Sequence, residues 1–287
     1  MRQKILSCAS EMGYTPNLIA RSLKSNRTMT IALIIPSIEN RFYIDVLKHL
    51  EIQLHQYSYR LIVSFIQPGI TTERECLEMM AAAQVDGIIM IPEHTTDESF
   101  IMSLSEQVKI IQLFSNPYSQ IDSVIMDDDG GAEAGTEYLL RHNHRRILFV
   151  GGENRRIGFW RAIDSAGIPH DEVFTLHDLA SVDEIRDTIR TFCPTAIFSI
   201  GASNETVWTA LQQLELSIPN DISLIVYDNT KWISLIGLTA VAHNLEEIAA
   251  ALVAQLLRRL NEDDASPAVH AILNPFIVER KSVKTLL

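Results

Sequence analysis

The chain has 287 residues, 47% of them hydrophobic and 21% charged, with a net charge of −12 and a mean hydropathy of +0.09. That is enough apolar content for a large core and enough length for two domains or one divided domain. No apolar run approaches the roughly 20 residues that span a bilayer, and the first residues lack the charge, apolar block and cleavage site of a signal peptide, so a cytoplasmic protein without membrane contact is expected.

In chain order, Ile5, Cys8, Ala9 and Met12 share one face of a helix over residues 2–12, which Gly13 ends. Tyr14-Thr15-Pro16-Asn17 follows, then a short helical stretch over 18–24, then Arg27-Thr28 ahead of a strand. Arg2, Lys4, Arg21, Lys24 and Arg27 against Glu11 alone give residues 1–28 a net +4, leaving −16 on the rest of a chain whose total is −12. An acidic body repels phosphate while a small basic segment attracts it, which would confine DNA contact to one end. The plainer reading is a solvated basic helix.

From residue 30 onward short β-branched runs alternate with amphipathic stretches. Strands are predicted at 31–35, 60–64, 87–91, 109–113, 123–126, 146–150, 196–200 and 223–227, and helices at 45–56, 72–84, 132–142, 182–192 and 204–214. Continuous apolar strands separated by helices mean parallel strands covered on both faces, a doubly wound α/β protein. The pattern occurs once before about residue 126 and again after it. Two such lobes are expected.

Chemistry-bearing motifs of enzymes are missing. There is no Gly-x-Ser-x-Gly elbow around Ser199 or Ser203, no Gly-Lys-Ser/Thr phosphate loop and no dinucleotide fingerprint after the first strand. Cys8, Cys76 and Cys193 are too few and scattered for a disulfide framework or a metal cluster, and each is expected as a small core residue. His142-x-His144 lies at a helix end without a Cys or carboxylate cluster, so a surface turn is expected there rather than a metal site. Neither metal nor cofactor is expected, and no enzymatic activity.

The order Gly13-Tyr14-x-Pro16-Asn17, Ala20-Arg21-Ser22-Leu23, Arg27-Thr28, strand resembles the lactose-repressor (LacI/GalR) family of bacterial transcription regulators. Further matches run in family order along nearly the whole chain: Pro36 to Tyr43, Val85 to Ile89, Asp127 with Gly131-Ala132, His144 to Ile147, Gly151-Gly152, Arg155 to Phe159, and Ile218 to Asp228. The resemblance implies a periplasmic-binding-protein-like pair of parallel-sheet lobes behind a helical DNA-binding head. It implies boundaries at residues 1–28 for head remnant and hinge, 29–126 plus 243–272 for the N-terminal lobe, and 127–242 plus 273–287 for the C-terminal lobe. The family places two further helices upstream, the second reading the major groove, so the head is expected to be incomplete in this chain.

The resemblance also implies roles. Leu23 would wedge between base steps of the minor groove with Ala20 packing nearby, and Asn17, Arg21 and Ser22 complete the DNA-contacting hinge. A helix this short is marginal alone and would order only when paired with its twin on operator DNA. Arg155, in Arg155-Arg156-Ile157-Gly158-Phe159, matches the arginine that grips the effector, and Asp228 matches the aspartate after a strand, with Val226 and Asn229 departing from the family pattern. In an open α/β sheet ligands sit outside the carboxyl ends of strands, which adds Asn40, Phe42, Tyr43, Phe114 and Ser203 from the loops there. The alternatives for these residues are lobe packing or a dimer seam for Phe42 and Tyr43, and an Asx turn for Asp228.

Departures from the family limit the ligand. Gly201-Ala202-Ser203-Asn204 replaces the usual Asn-Asp and removes a carboxylate, the loop before Arg155 is short, and His243-Asn244 stands for Gln-Pro. An arginine with few acidic neighbours favours a ligand carrying negative charge, such as a sugar acid or phosphosugar. The expectation is a homodimer, with a tetramer as the further alternative, in which a sugar or sugar acid closing the cleft between lobes changes hinge spacing and operator affinity. The rival readings are a stand-alone sugar-binding protein and a head-less regulator without DNA binding of its own.

Overall fold

Strand β1 (Thr30–Ile35) is buried along its whole length, because Ile31, Leu33 and Ile35 on one face and Ala32 and Ile34 on the other are both covered. The computed structural model describes residues 27–38, 40–67, 69–261 and 266–287. The expected helix over 2–12 and the expected DNA contacts Asn17, Ala20, Arg21, Ser22 and Leu23 lie outside the described residues.

β1 pairs in parallel with β2 (Arg60–Phe65) and β3 (Gly87–Met90), Ile31 lying opposite both Leu61 and Gly87, and β4 (Lys109–Phe114) runs parallel to β3. With β5 (Ser123–Met126) and β11 (His270–Leu273) the first sheet has the order β11-β5-β4-β3-β1-β2. The second sheet comprises β6 (Ile147–Val150), β7 (Val173–Leu176), β8 (Ala196–Ile200), β9 (Ser223–Tyr227), β10 (Thr239–Ala242) and β12 (Phe276–Val278) in the order β12-β10-β9-β8-β6-β7. Its pairs β6–β7, β6–β8, β8–β9 and β9–β10 are parallel, and β12 closes the edge antiparallel to β10.

The helices are α1 (Arg41–Gln56), α2 (Glu73–Ala82), α3 (Glu98–Ser105), α4 (Asp128–Arg141), α5 (Glu153–Ser165), α6 (Val182–Phe192), α7 (Ser203–Gln213), α8 (Lys231–Leu235) and α9 (Leu245–Asn261). The contacts divide the chain into two compact units. One holds the described residues up to Ser37 with Leu47–Ser123 and Ala250–His270; the other holds Ile38–Val46, Val124–Ala249 and Ala271–Leu287.

In the first unit Ala32, Ile34, Ile88, Met90 and Ile110 of the sheet meet Leu77 of α2 and Ile101 and Leu104 of α3. Asp86 ties the entering chain to this unit, since its carboxylate accepts from the backbone N–H of Thr28 at 2.7 Å and of Met29 at 3.0 Å. Helix α2 starts at Thr72, whose hydroxyl accepts from the Glu75 N–H while Glu75 accepts from the Thr72 N–H at 2.8 Å. This reciprocal cap satisfies two amides that the first turn leaves open. Thr72→Ala is expected to cost about 1 kcal/mol, read as a lower urea midpoint at unchanged slope; an unmoved midpoint would mean that water replaces the cap without loss.

The second sheet is sandwiched. Leu148, Val150, Ile197, Leu224 and Val226 point to one side and pack on Ile185, Leu211 and Ile233 of α6, α7 and α8. Phe149, Phe198, Ile225, Tyr227 and Val241 point to the other side and pack on Leu139 of α4 and on Phe159 and Ile163 of α5. Strict alternation of covered faces is what parallel strands between helices require.

Some expectations need correction. Helix α4 begins at Asp128, four residues ahead of the predicted start, because the Asp127 carboxylate accepts from the Gly130 N–H at 3.0 Å and caps a first turn that Gly130 and Gly131 disguise. His144 is buried rather than in a surface turn, with Nε2 2.9 Å from the Lys284 carbonyl oxygen and Nδ1 3.0 Å from Thr195 Oγ1. Cys76 is buried as expected, but Cys193 is exposed at the left-handed residue that ends α6. No described helix is long and apolar enough to cross a membrane.

Candidate functional site

Four strands of the second unit end in residues that leave the sheet together: β6 into Gly151, β8 into Gly201, β9 into Asp228 and β10 into His243. Gly201 and Asp228 both turn the chain through the left-handed region, at φ of 56° and 76°. For Asp228 that is a sparsely populated conformation which aspartate tolerates better than most side chains. Its backbone N–H stays on the ladder, donating to the Val241 carbonyl at 3.0 Å.

The first turn of α5 brings Arg155 to this place. Its Nη2 donates to Asp128 Oδ1 at 3.1 Å, and its guanidinium lies 4.2 Å from the centre of the Tyr227 ring. The Tyr227 hydroxyl donates to the same Asp128 oxygen, also at 3.1 Å. Gly131 makes room for that hydroxyl, since a Cβ there would lie 2.3 Å from it. Arg155, Asp128 and Tyr227 are therefore one interlocked group, with both charged side chains about one-fifth exposed. Burial alone would lower the Arg155 pKa, but the carboxylates of Asp128 and Asp228 outweigh it and drive it up, so the guanidinium is permanently charged. Burial and the Asp128 carboxylate push the Tyr227 phenol up as well.

Around this group buried polar atoms lack partners among the described residues. Asp228 is 5% exposed and its Oδ1 accepts nothing; Asn204 donates through Nδ2 to the Tyr227 carbonyl at 2.8 Å while its Oδ1 accepts nothing. His243 sits between the rings of Phe42 at 5.6 Å and Tyr227 at 5.5 Å, with neither ring nitrogen bonded. Burying such a group unsatisfied costs about 1–3 kcal/mol. What sets these atoms apart is that Asp228, Asn204 and His243 gather at one set of strand ends, where a ligand can satisfy several of them together. In the first unit the Gln112 amide is satisfied, donating to the Tyr118 and Ile121 carbonyls and accepting from the Tyr118 N–H, while single oxygens of Tyr59, Thr96 and Gln255 there also lack a partner.

Burial raises the Asp228 carboxyl to about 6, with Arg155 pulling it back. Burial pushes the His243 imidazole down to about 4, leaving it neutral at pH 7. Because the folded pKa of Asp228 lies above its unfolded value, ionisation at neutral pH is a destabilising debt that disappears as pH falls below the unfolded value. Asp228→Asn keeps the shape and the left-handed backbone, so the apo protein should gain about 1–3 kcal/mol at pH 7, with no gain near pH 4. Chemical denaturation of both proteins at the two pH values checks this; an equal difference at both would place the debt elsewhere.

The other expected site residues are placed as follows. Asn40 caps α1, its Oδ1 accepting from the Phe42 N–H at 3.0 Å. Phe42 is 8% exposed against His243, and Tyr43 follows it with ring centres 6.5 Å apart. Ser203 opens α7 with its hydroxyl donating to the Asp178 carbonyl at 3.2 Å. Phe114 belongs to the first unit, at the end of β4, with φ of 67°. The structure thus brings Arg155, Asp228 and Phe42 to one place. Asp128 and Tyr227 join them without having been singled out, and so do Asn204 and His243, which were noted only as departures from the family pattern and not as site residues. Among the described residues no cluster of three or more His, Cys, Asp or Glu is placed to hold a metal.

A sequence model described as the periplasmic binding protein-like domain matches residues 136–283. The chain is 27% identical to the HTH-type transcriptional repressor PurR of Pasteurella multocida and 29% identical to the HTH-type transcriptional regulator DegA of Bacillus subtilis, in each case over 99% of this chain and 90% of the relative. The chain belongs to the periplasmic binding protein-like family, among its LacI-family regulators. A solved LacI-family transcriptional regulator from Enterococcus faecium, with bound ribose, has the same fold at a TM-score of 0.78 and 24% identity, over 90% of this chain and all of that one. The relatives that this chain matches are transcription regulators rather than enzymes. The chain's two parallel-sheet lobes are those its sequence led us to expect.

Proposed function

We propose that this LacI-family protein is a DNA-binding repressor whose second unit binds a small polar metabolite, a sugar or sugar acid, at Arg155 and Asp228. Phe42 and Tyr43 supply aromatic faces near the strand ends, with Asn40 and Ser203 in the adjoining loops. Occupancy of the site is coupled to how the segments containing Asn17, Ala20, Arg21, Ser22 and Leu23 are held in a cytoplasmic homodimer, and so to operator affinity. Linkage makes that coupling reciprocal.

The single observation that supports this most is the buried Asp228 carboxylate with an unpartnered oxygen, beside a guanidinium fixed by Asp128. A paired hydroxyl donor is what such an oxygen lacks. The ribose-bound neighbour and the HTH-type relatives support the sugar and DNA arms of the reading. A thermal-shift screen of sugars, sugar acids and purines tests it. At least one compound should raise the Tm of the native chain by several degrees and leave Asp228→Asn unmoved; equal shifts in both proteins would remove Asp228 from the site.

A further inference from the structure

The charge inventory at the strand ends is lopsided. Among the described residues two carboxylates, Asp128 and Asp228, face the Arg155 guanidinium, with the Tyr227 phenol and an imidazole enclosed by two aromatic rings lodged among them. Arg155 gives an Nη to Asp128 and its flat face to Tyr227, which leaves Nε as its unpartnered buried donor. The sequence expectation that Arg155 lacks acidic company fails at Asp128. With that neighbour in place, the one cation is shared between two carboxylates, and the three side chains sum to one negative charge when both are ionised.

The unpartnered atoms have mixed character. Asp228 Oδ1 and Asn204 Oδ1 accept, Arg155 Nε donates, and a neutral His243 offers one nitrogen of each kind. A hydroxyl group both donates and accepts, so several of them match such a set. A carboxylate or phosphate only accepts, and would sit beside Asp228 at a like-charge cost. His243 is 8% exposed, so whatever bonds to its nitrogens does so out of water, and the Phe42 ring beside it is an apolar surface suited to C–H groups of a sugar ring.

Resting on the effector reading above, we propose that this site takes a neutral polyhydroxylated ligand and rejects its acidic counterpart, and that His243 is the residue setting that preference. Its aromatic flanks hold the imidazole in place, and its uncharged state leaves the site one positive charge short of what an anion needs. A site built for hydroxyls discriminates strongly, because a mismatched guest leaves buried partners unpaired.

Isothermal titration with matched pairs decides the matter: D-ribose with D-ribose 5-phosphate, D-galactose with D-galacturonate, and D-glucose with D-gluconate. In the pair that binds, the neutral member should bind at least about tenfold tighter. His243→Leu should weaken it by about a hundredfold while the apo Tm holds or rises, since two unsatisfied nitrogens are gone. His243→Lys should erase or invert the preference, a change that a merely structural histidine would not produce. An acidic member binding as tightly as its neutral partner, or an unchanged ratio in His243→Lys, overturns the inference while leaving the effector reading intact. Silence from all pairs, together with no response in the wider screen, sinks both.

Discussion

Arg155→Ala is expected to lower stability by about 3 kcal/mol and to abolish ligand-induced stabilisation. Removing one member of a buried ion pair costs about 3–5 kcal/mol, because the other charge is left without a partner; one-fifth exposure of both side chains here favours the low end. The loss has three parts: the bond to Asp128, the contact with the Tyr227 ring, and the positive field that keeps Asp228 ionised at all. For a chain of this size the Tm should fall by about 6–12 °C. The double variant Arg155→Ala/Asp128→Asn should recover most of that stability, since the orphaned carboxylate has gone, yet still not respond to ligand. If the single variant keeps native stability, Arg155 is a ligand contact only and Asp128 is satisfied without it. The double-mutant cycle therefore separates the two roles that one arginine fills.

The alternation of β-branched runs with helices made the two sheets readable, and Ala196–Ile200 and Ser223–Tyr227 begin and end where expected. The strands that escaped notice were short or half-exposed: Thr239–Ala242 is four residues long, and His270–Leu273 and Phe276–Val278 are edge strands without fully buried residues. Helix α5 starts Glu-Asn-Arg-Arg, without the apolar spacing that marks a helix, and is held instead by Gly158, Phe159, Ala162 and Ile163 against its neighbours. At the site, Arg155 and Asp228 carried a family role, whereas Asp128, Tyr227 and His243 were given none and take their place only by folding. Tyr227 reads as the last apolar position of a strand, and nothing in its spacing shows that its hydroxyl meets Asp128, 99 residues away in sequence. Periodicity reports which face is buried; it does not report which buried polar atoms end without a partner.

Gly158→Ala is expected to be at least as damaging as loss of the arginine. A Cβ at this position would lie 1.9 Å from the Asp129 carbonyl oxygen, a backbone atom that no rotamer change can move aside. Helices α4 and α5 would have to separate, although Phe159 fixes α5 to Phe149 of β6 with ring centres 4.6 Å apart and Arg161 of α5 pairs with Glu133 of α4 at 2.9 Å. Overpacking usually costs about 1–3 kcal/mol and more when backbone must shift, so about 3 kcal/mol or more is expected here. Function should fall with stability: Arg155 lies one turn before Gly158, and Asp128 adjoins Asp129, so prising the helices apart at this contact also opens the pair that positions the guanidinium. Alanine is otherwise the better helix former by about 1 kcal/mol, which makes the sign of the effect diagnostic. A stabilised Gly158→Ala with intact ligand response would mean that α4 and α5 do not meet through this glycine, and the placement of Arg155 would then need another cause.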